Sequence, residues 1–154
     1  MTAAVRKQAE TSLSLDNIGF LLAKASQRWN ELLYARLSEA GFSEVRPSYG
    51  SVLIPLFAED GLRQGELARR ARLSKQTLTT LARALERDGL VERVIDPTDA
   101  RATLLYLTDR ARELEPVAEQ IVAGLGARVT ETLTDRERMV LQAALREIAD
   151  LPLS

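Results

Sequence analysis

Residues Ser74–Gly89 read SKQTLTTLARALERDG, and the spacing within them predicts one short helix with its own start and stop. Ser74 suits an N-cap, because its hydroxyl accepts from an otherwise unpaired N–H of the first turn. Gly89 suits the left-handed residue that ends a helix. Leu78, Leu81, Ala82 and Leu85 recur at helical spacing and make a narrow apolar stripe. Gln76, Thr80, Arg83 and Arg87 fall on the opposite face, with Thr77 and Thr79 on its flanks. That face carries hydrogen-bonding groups and no acid, so it can enter a nucleic-acid groove without repelling phosphate. A polar helix face is more commonly just solvated, and the flanking sequence has to decide.

On the N-terminal side, Gln64–Ala71 (QGELARRA) predicts another short helix with Leu67, Ala68 and Ala71 inward, and Arg72-Leu73 the turn between the two. Paired short helices, the second with a polar outer face, make a helix-turn-helix, in which the second helix enters the major groove. On the C-terminal side, LVERVI and ATLLYL have strand length and composition, and DPTDAR between them is a turn signal. This predicts a β-hairpin wing whose tip carries Arg101, placed to reach a narrow minor groove. Asp99 reads as a plain turn residue or as a partner that pairs Arg101 or Arg93 and fixes the hairpin.

Further out, apolar positions from Leu15 to Leu37 predict a long amphipathic helix, capped by Ser14 or Asp16 and ended at Gly41. Its stripe is buried either within one chain or against a second copy. Residues 46–60 predict a second helix, with Pro47 in its first turn and Pro55 kinking or splitting it. Gly61 ends it, and Leu62-Arg63 are expected to add a short strand. Thr108 opens a fifth helix, bent at Pro116, and Thr134–Glu137 is a capping box for a sixth carrying Val140, Leu141, Ala144, Leu145 and Ile148. The first dozen residues are polar and expected to be mobile. The fold class is therefore mainly α with a small β-hairpin, in one domain of 154 residues.

Composition narrows the chemistry. The chain has no cysteine and no histidine, which removes disulfides, thiolate sites, imidazole bases and His-ligated zinc. There is no paired-carboxylate motif, Gly-rich phosphate loop or metal-ligand spacing, so neither an enzyme nor a cofactor is expected. No stretch approaches a membrane span or the apolar run of a signal peptide, so a soluble intracellular protein is expected. Net charge is −1, yet from Arg63 to Arg87 seven basic side chains stand against two acidic ones. A basic middle in a neutral chain points to a polyanion partner. The competing reading of the same elements is a winged helix used for protein–protein contact.

The segment from Gly61 to Thr108, with LxxDGLVER, DPTDAR and the final LT, resembles the MarR family of bacterial and archaeal transcriptional regulators. The likeness extends over about residues 15–150. It implies a cytoplasmic, nucleoid-associated homodimer on double-stranded DNA, a repressor at a pseudo-palindromic operator. Helices at about 15–40 and 109–150 would form the dimer, and residues of about 46–108 the DNA-binding lobe. Many relatives release DNA on binding a small aromatic or anionic effector. One departure stands at the wing, where Ala100 replaces a commonly basic residue beside Arg101. Within this frame Gln76, Thr77, Thr79, Thr80 and Arg83 are the base-edge candidates. Arg63, Ser74, Lys75 and Arg87 are candidates for phosphate, Arg101 for the minor groove, and Arg93 and Asp99 for support of the wing. Arg69 and Arg70 read equally well as phosphate contacts or solvated charges. Trp29, Tyr34, Arg46 and Tyr49 lie where relatives bind effectors, although Trp29 falls in an apolar stripe, where an aromatic ordinarily serves packing.

Overall fold

The computed structural model describes residues 13–154; the polar first twelve lie outside the described residues. Six α-helices and three strands follow in the order α1 (Ile18–Glu39), α2 (Gly50–Ala58), β1 (Leu62–Arg63), α3 (Gln64–Ala71), α4 (Lys75–Arg87), β2 (Val91–Asp96), β3 (Asp99–Leu107), α5 (Asp109–Thr130) and α6 (Asp135–Ala149). The mainly α winged helix-turn-helix expected from the sequence is the observed fold. The sheet is antiparallel in the order β1-β3-β2. The short strand expected at Leu62-Arg63 therefore forms, and it pairs with β3 at Leu105 and Leu104.

Helix starts follow side-chain chemistry. Thr77 N donates to Ser74 Oγ at 3.1 Å, and Thr108 caps α5. Thr134 and Glu137 complete a capping box at α6, the Thr134 amide donating to Glu137 Oε2 at 2.8 Å. The cap of α1 is neither Ser14 nor Asp16. Asn17 fills it, its side-chain oxygen accepting from Phe20 N at 3.2 Å; it sits in extended backbone directly before the first helical turn. Pro55 does not split α2. It lies inside α2, which remains one helix through it. The irregularity falls upstream instead, where Pro47–Tyr49 form a 3-10 turn before α2 begins. In so short a helix, the amide that Pro55 lacks concerns only the carbonyl one turn back.

One apolar cluster holds the lobe together. Leu78, Ala82 and Leu85 of α4 meet Leu67 of α3, Val52 and Leu56 of α2, Leu105 of β3, and Ala111 and Leu114 of α5. The apolar stripes of α1 and α6 fare differently. Of α1 only Leu37 is buried, Trp29 is half-buried, and no residue of α6 is buried. Ile18, Leu21, Met139, Val140, Leu141, Leu145 and Ile148 remain exposed, as does Val122 of α5.

Gly61 joins α2 to β1 at φ +72°, and a Cβ there would lie 2.7 Å from the Tyr106 ring. Both strain terms oppose a side chain. Gly61→Ala should cost about 2 kcal/mol of unfolding free energy by urea titration. Adding Tyr106→Leu should return the steric part and leave the backbone part.

Candidate nucleic-acid interface

Burial of one face of α4 turns the other outward. Gln76, Thr77, Thr80 and Arg83 are exposed along it, with Lys75 at its start, while Thr79 is half-buried. No acidic residue interrupts α4 before Glu86. The threonine hydroxyls are partly committed: Thr80 Oγ1 donates to the Gln76 carbonyl at 3.1 Å and Thr79 Oγ1 to that of Lys75 at 2.8 Å. What Thr80 offers outward is thus a methyl and acceptor lone pairs. Ser74 is consumed as a cap, since its hydroxyl also donates to Thr77 Oγ1 at 2.8 Å.

The basic residues around this helix differ in freedom. Among the described residues Lys75 and Arg83 make no ion pair. Arg87 pairs with Asp88 at 3.1 Å. Arg69 and Arg70 are not simply solvated. Both bind Glu66, at 2.5 and 2.8 Å, and Arg70 also reaches Glu59 at 3.0 Å. These guanidinium groups pull the Glu66 carboxyl down to about 2. Arg72, in left-handed backbone at φ +53°, ends α3 and pairs with Asp150 at 3.0 Å.

The wing corrects the sequence reading at its tip and bears out the pairing of Asp99 with Arg101. Its turn is Pro97-Thr98, between paired Asp96 and Asp99, so Arg101 lies in β3 and not at the tip. Ile95 pairs with Thr103, however, which leaves residues 100–102 without partners on β2. This bulge presents Arg101 with a side chain 93% exposed. Asp99 holds Arg101, accepting from its amide at 3.0 Å and its Nε at 3.4 Å. Arg93 does not pair with Asp99; it reaches Glu86 of α4 at 3.5 Å. The residue missed from sequence is Asp96, whose carboxylate is buried and accepts from Thr98 N at 2.8 Å and Thr98 Oγ1 at 2.7 Å. Its other oxygen binds Arg63 at 2.5 Å. The hydroxyl and amide of Thr98, and then Arg63, hold its pKa below the usual aspartate value. The D-x-T spacing of an Asx turn was the available signal.

Between the wing and the two short helices runs a cleft of about 320 Å3, lined among others by Arg63, Gln64, Lys75, Thr79 and Arg101. A second cleft of similar size is lined by Tyr34, Ser43, Glu44, Arg46 and Asp88. The structure thus brings Tyr34 and Arg46 together and leaves Trp29 out of that lining. Tyr49 is buried beneath it, its hydroxyl donating to Asp88. Burial and that carboxylate push the Tyr49 pKa up.

A two-helix unit, an acid-free outward face and a bulged wing arginine are the parts of a winged DNA reader. A family model described as MarR family matches residues 47–103. The chain is 30% identical over 131 residues to the HTH-type transcriptional repressor Rv2887 of Mycobacterium tuberculosis, covering 85% of this chain and 92% of that protein. The chain belongs to the MarR family of transcriptional regulators. It is also 34% identical over 89 residues to the regulator TtmR of Methylorubrum extorquens; that match spans 58% of this chain and 46% of TtmR. Among solved structures, the PcaV regulator of Streptomyces coelicolor in complex with its natural ligand superposes with a TM-score of 0.78 at 28% identity, over 97% of this MarR chain and 98% of that one. The repressor CouR bound to a 23-mer DNA duplex gives 0.74 at 30% identity, over 89% and 98%. No described helix is long and apolar enough to cross a membrane.

The Glu66 cluster gives this MarR lobe an acid-sensitive term. Between the ordinary glutamate value of 4.5 and about 2, the unfolded chain binds a proton that the folded chain refuses. Stability from Glu66 is therefore complete above 4.5 and lost as pH falls toward 2. Glu44, Asp88 and Asp96 are lowered too and act in the same direction. The urea midpoint should drop between neutral pH and about pH 3, and Glu66→Gln should make that drop smaller.

Proposed function

We propose that this chain is a homodimeric, sequence-specific regulator, and a repressor, which reads double-stranded DNA with α4 and the wing. The carrying observation is the exposed acid-free face of α4 beside the bulge that presents Arg101. The DNA-bound CouR structure and the named repressor Rv2887 support it. Gln76, Thr77, Thr80 and Arg83 meet base edges, with Thr79 at the margin, and Lys75 and Arg87 meet phosphate. Arg101 enters the minor groove. The uncovered apolar faces of α1, α5 and α6 meet those of a second copy, which makes about residues 15–40 and 109–150 the dimer region and residues 46–108 the reading lobe. Two-fold symmetry then calls for a pseudo-palindrome with half-sites about one helical turn apart. The protein works in the cytoplasm, on the chromosome.

The cleft of Tyr34 and Arg46 is the proposed effector site, supported by the ligand-bound PcaV structure. Its two carboxylates are already engaged, Glu44 by Arg110 at 2.7 Å and Asp88 by Arg87 and Tyr49. Arg46 is the cation left to a small aromatic acid, with the Tyr34 ring as its apolar wall. Benzoate and hydroxybenzoates should raise the melting temperature of the wild type and not of Arg46→Ala; equal shifts in both would remove Arg46 from the site.

DNA reading is tested by selecting duplexes from a random library with the full-length protein and titrating the winner. Affinity should fall steeply with salt through counterion release. Arg83→Ala should weaken the selected duplex by about tenfold or more, at the scale of a bidentate base contact, and random duplex far less. An equal loss on both would make Arg83 a phosphate contact. Failure to enrich any duplex, with salt-insensitive association, would favour a protein partner.

A further inference from the structure

We propose that Arg63 and Asp96 form a strut that sets where the wing arginine stands relative to the reading helix, so that both are positioning residues for DNA recognition. The proposal rests on the DNA-binding reading above, and it takes Arg63 out of the phosphate contacts.

Three observations carry it. First, Asp96 is the one charged residue that is buried among the described residues, at 5% exposure, although it stands next to the turn of a projecting hairpin. One of its oxygens closes that turn through the amide and hydroxyl of Thr98, and the other holds Arg63 Nη2 at 2.5 Å. The same Nη2 also donates to Thr98 Oγ1 at 3.2 Å. Second, Arg63 belongs to β1 and is the residue from which α3 starts. The contact therefore ties the wing turn to the first residue of the helix-turn-helix. Third, the β-ladder does not do this work near the turn. Regular pairing stops at Ile95–Thr103, and the bulge of residues 100–102 separates it from the closing pair Asp96–Asp99. Arg101 and Ala102 of the bulge, with Thr103 beside it, face α3 and α4 across a cleft, so the ladder alone does not fix their distance from those helices. Asp99 orients Arg101 only from within the wing itself.

The Asp96 carboxylate is buried while the Arg63 side chain is half exposed, so the anchored end of the pair is the carboxylate, and its loss of the cation leaves a buried charge less compensated. The wing arginine is thus preset before DNA arrives, and less ordering remains to be done on binding.

The test uses the full-length protein and two measurements. Hydrogen–deuterium exchange on the free protein should show peptides over residues 96–103 exchanging about tenfold faster in Asp96→Asn and in Arg63→Gln, with α4 unchanged. Unchanged exchange at the wing in both variants overturns the strut. On the selected duplex, each variant should weaken binding about tenfold, and less than about twofold once Arg101→Ala is already present. Arg63→Lys, which keeps the charge, should restore most of the affinity. Equal losses with and without Arg101 overturn the proposal. So does an Arg63→Gln variant whose salt slope falls by about one, because that marks a lost phosphate contact. If the wild type enriches no duplex, the DNA-binding reading fails, and exchange at the wing decides the strut by itself.

Discussion

The rotation of α4 about its own axis is the constraint on which the lobe depends. Leu78, Ala82 and Leu85 are at most 1% exposed, and burying each leucine is worth about 2 kcal/mol. Turning the helix to hide Gln76 or Arg83 would expose those leucines and bury polar groups without partners. The outward face is thus fixed by the inward one. The neighbouring elements serve that seat: α3 supplies Leu67, β3 supplies Leu105, and α5 supplies Ala111 and Leu114. The outward face is held in place because it is the back of a core helix.

What sequence made legible follows the same division. Periodicity and caps are local, so α3 and α4, the Ser74 cap and the Thr134–Glu137 box could be read from neighbouring residues alone. Gly61 and Gly89 likewise marked their left-handed turns, at φ +72° and +78°. The sequence reading puts the cap of α1 at Ser14 or Asp16, and it is Asn17, because all three side chains are competent and the position of the first helical turn chooses among them. The wing was legible as a hairpin but not in register. A turn signal such as DPTDAR says that the chain reverses, not which residues oppose each other, and a bulge changes the count. Asp96 was invisible as an organiser because its partner Arg63 lies far away in sequence. Charge suggested Arg63 for phosphate, and the structure adds its ion pair with Asp96.

The helices outside the lobe show the opposite balance. In α1 and α6 the apolar positions repeat as regularly as in α4, yet none of α6 is buried and the first turn of α1, with Ile18 and Leu21, is left uncovered. A contiguous apolar face costs solubility unless something buries it. The lobe is complete as one chain and the long helices are not, which is the physical reason for placing the symmetry axis of the proposed dimer there. Arg110 ties the outer helices together: it binds Glu44 and the Gly41 carbonyl and stacks over Phe42, joining the start of α5 to the segment after α1. Glu44 also lines the cleft of Tyr34 and Arg46, so Arg110 fixes one of that cleft's two carboxylates.

Electrostatics refines what the basic middle of the chain means. Seven basic residues lie from Arg63 to Arg87, but five of them are held by the protein's own carboxylates: Arg63 by Asp96, Arg69 and Arg70 by Glu66, Arg72 by Asp150, and Arg87 by Asp88. Only Lys75 and Arg83 make no ion pair among the described residues. An arginine that leaves its carboxylate for a phosphate gives up much of what it gains, so the effective positive charge is smaller than the count. Non-specific affinity scales with the number of phosphates neutralised. Under the proposed function, a lobe with so few free cations holds random DNA weakly, and discrimination falls to base contacts and to the placement of the wing arginine. In a chain whose net charge is −1, specificity then rests on geometry more than on charge.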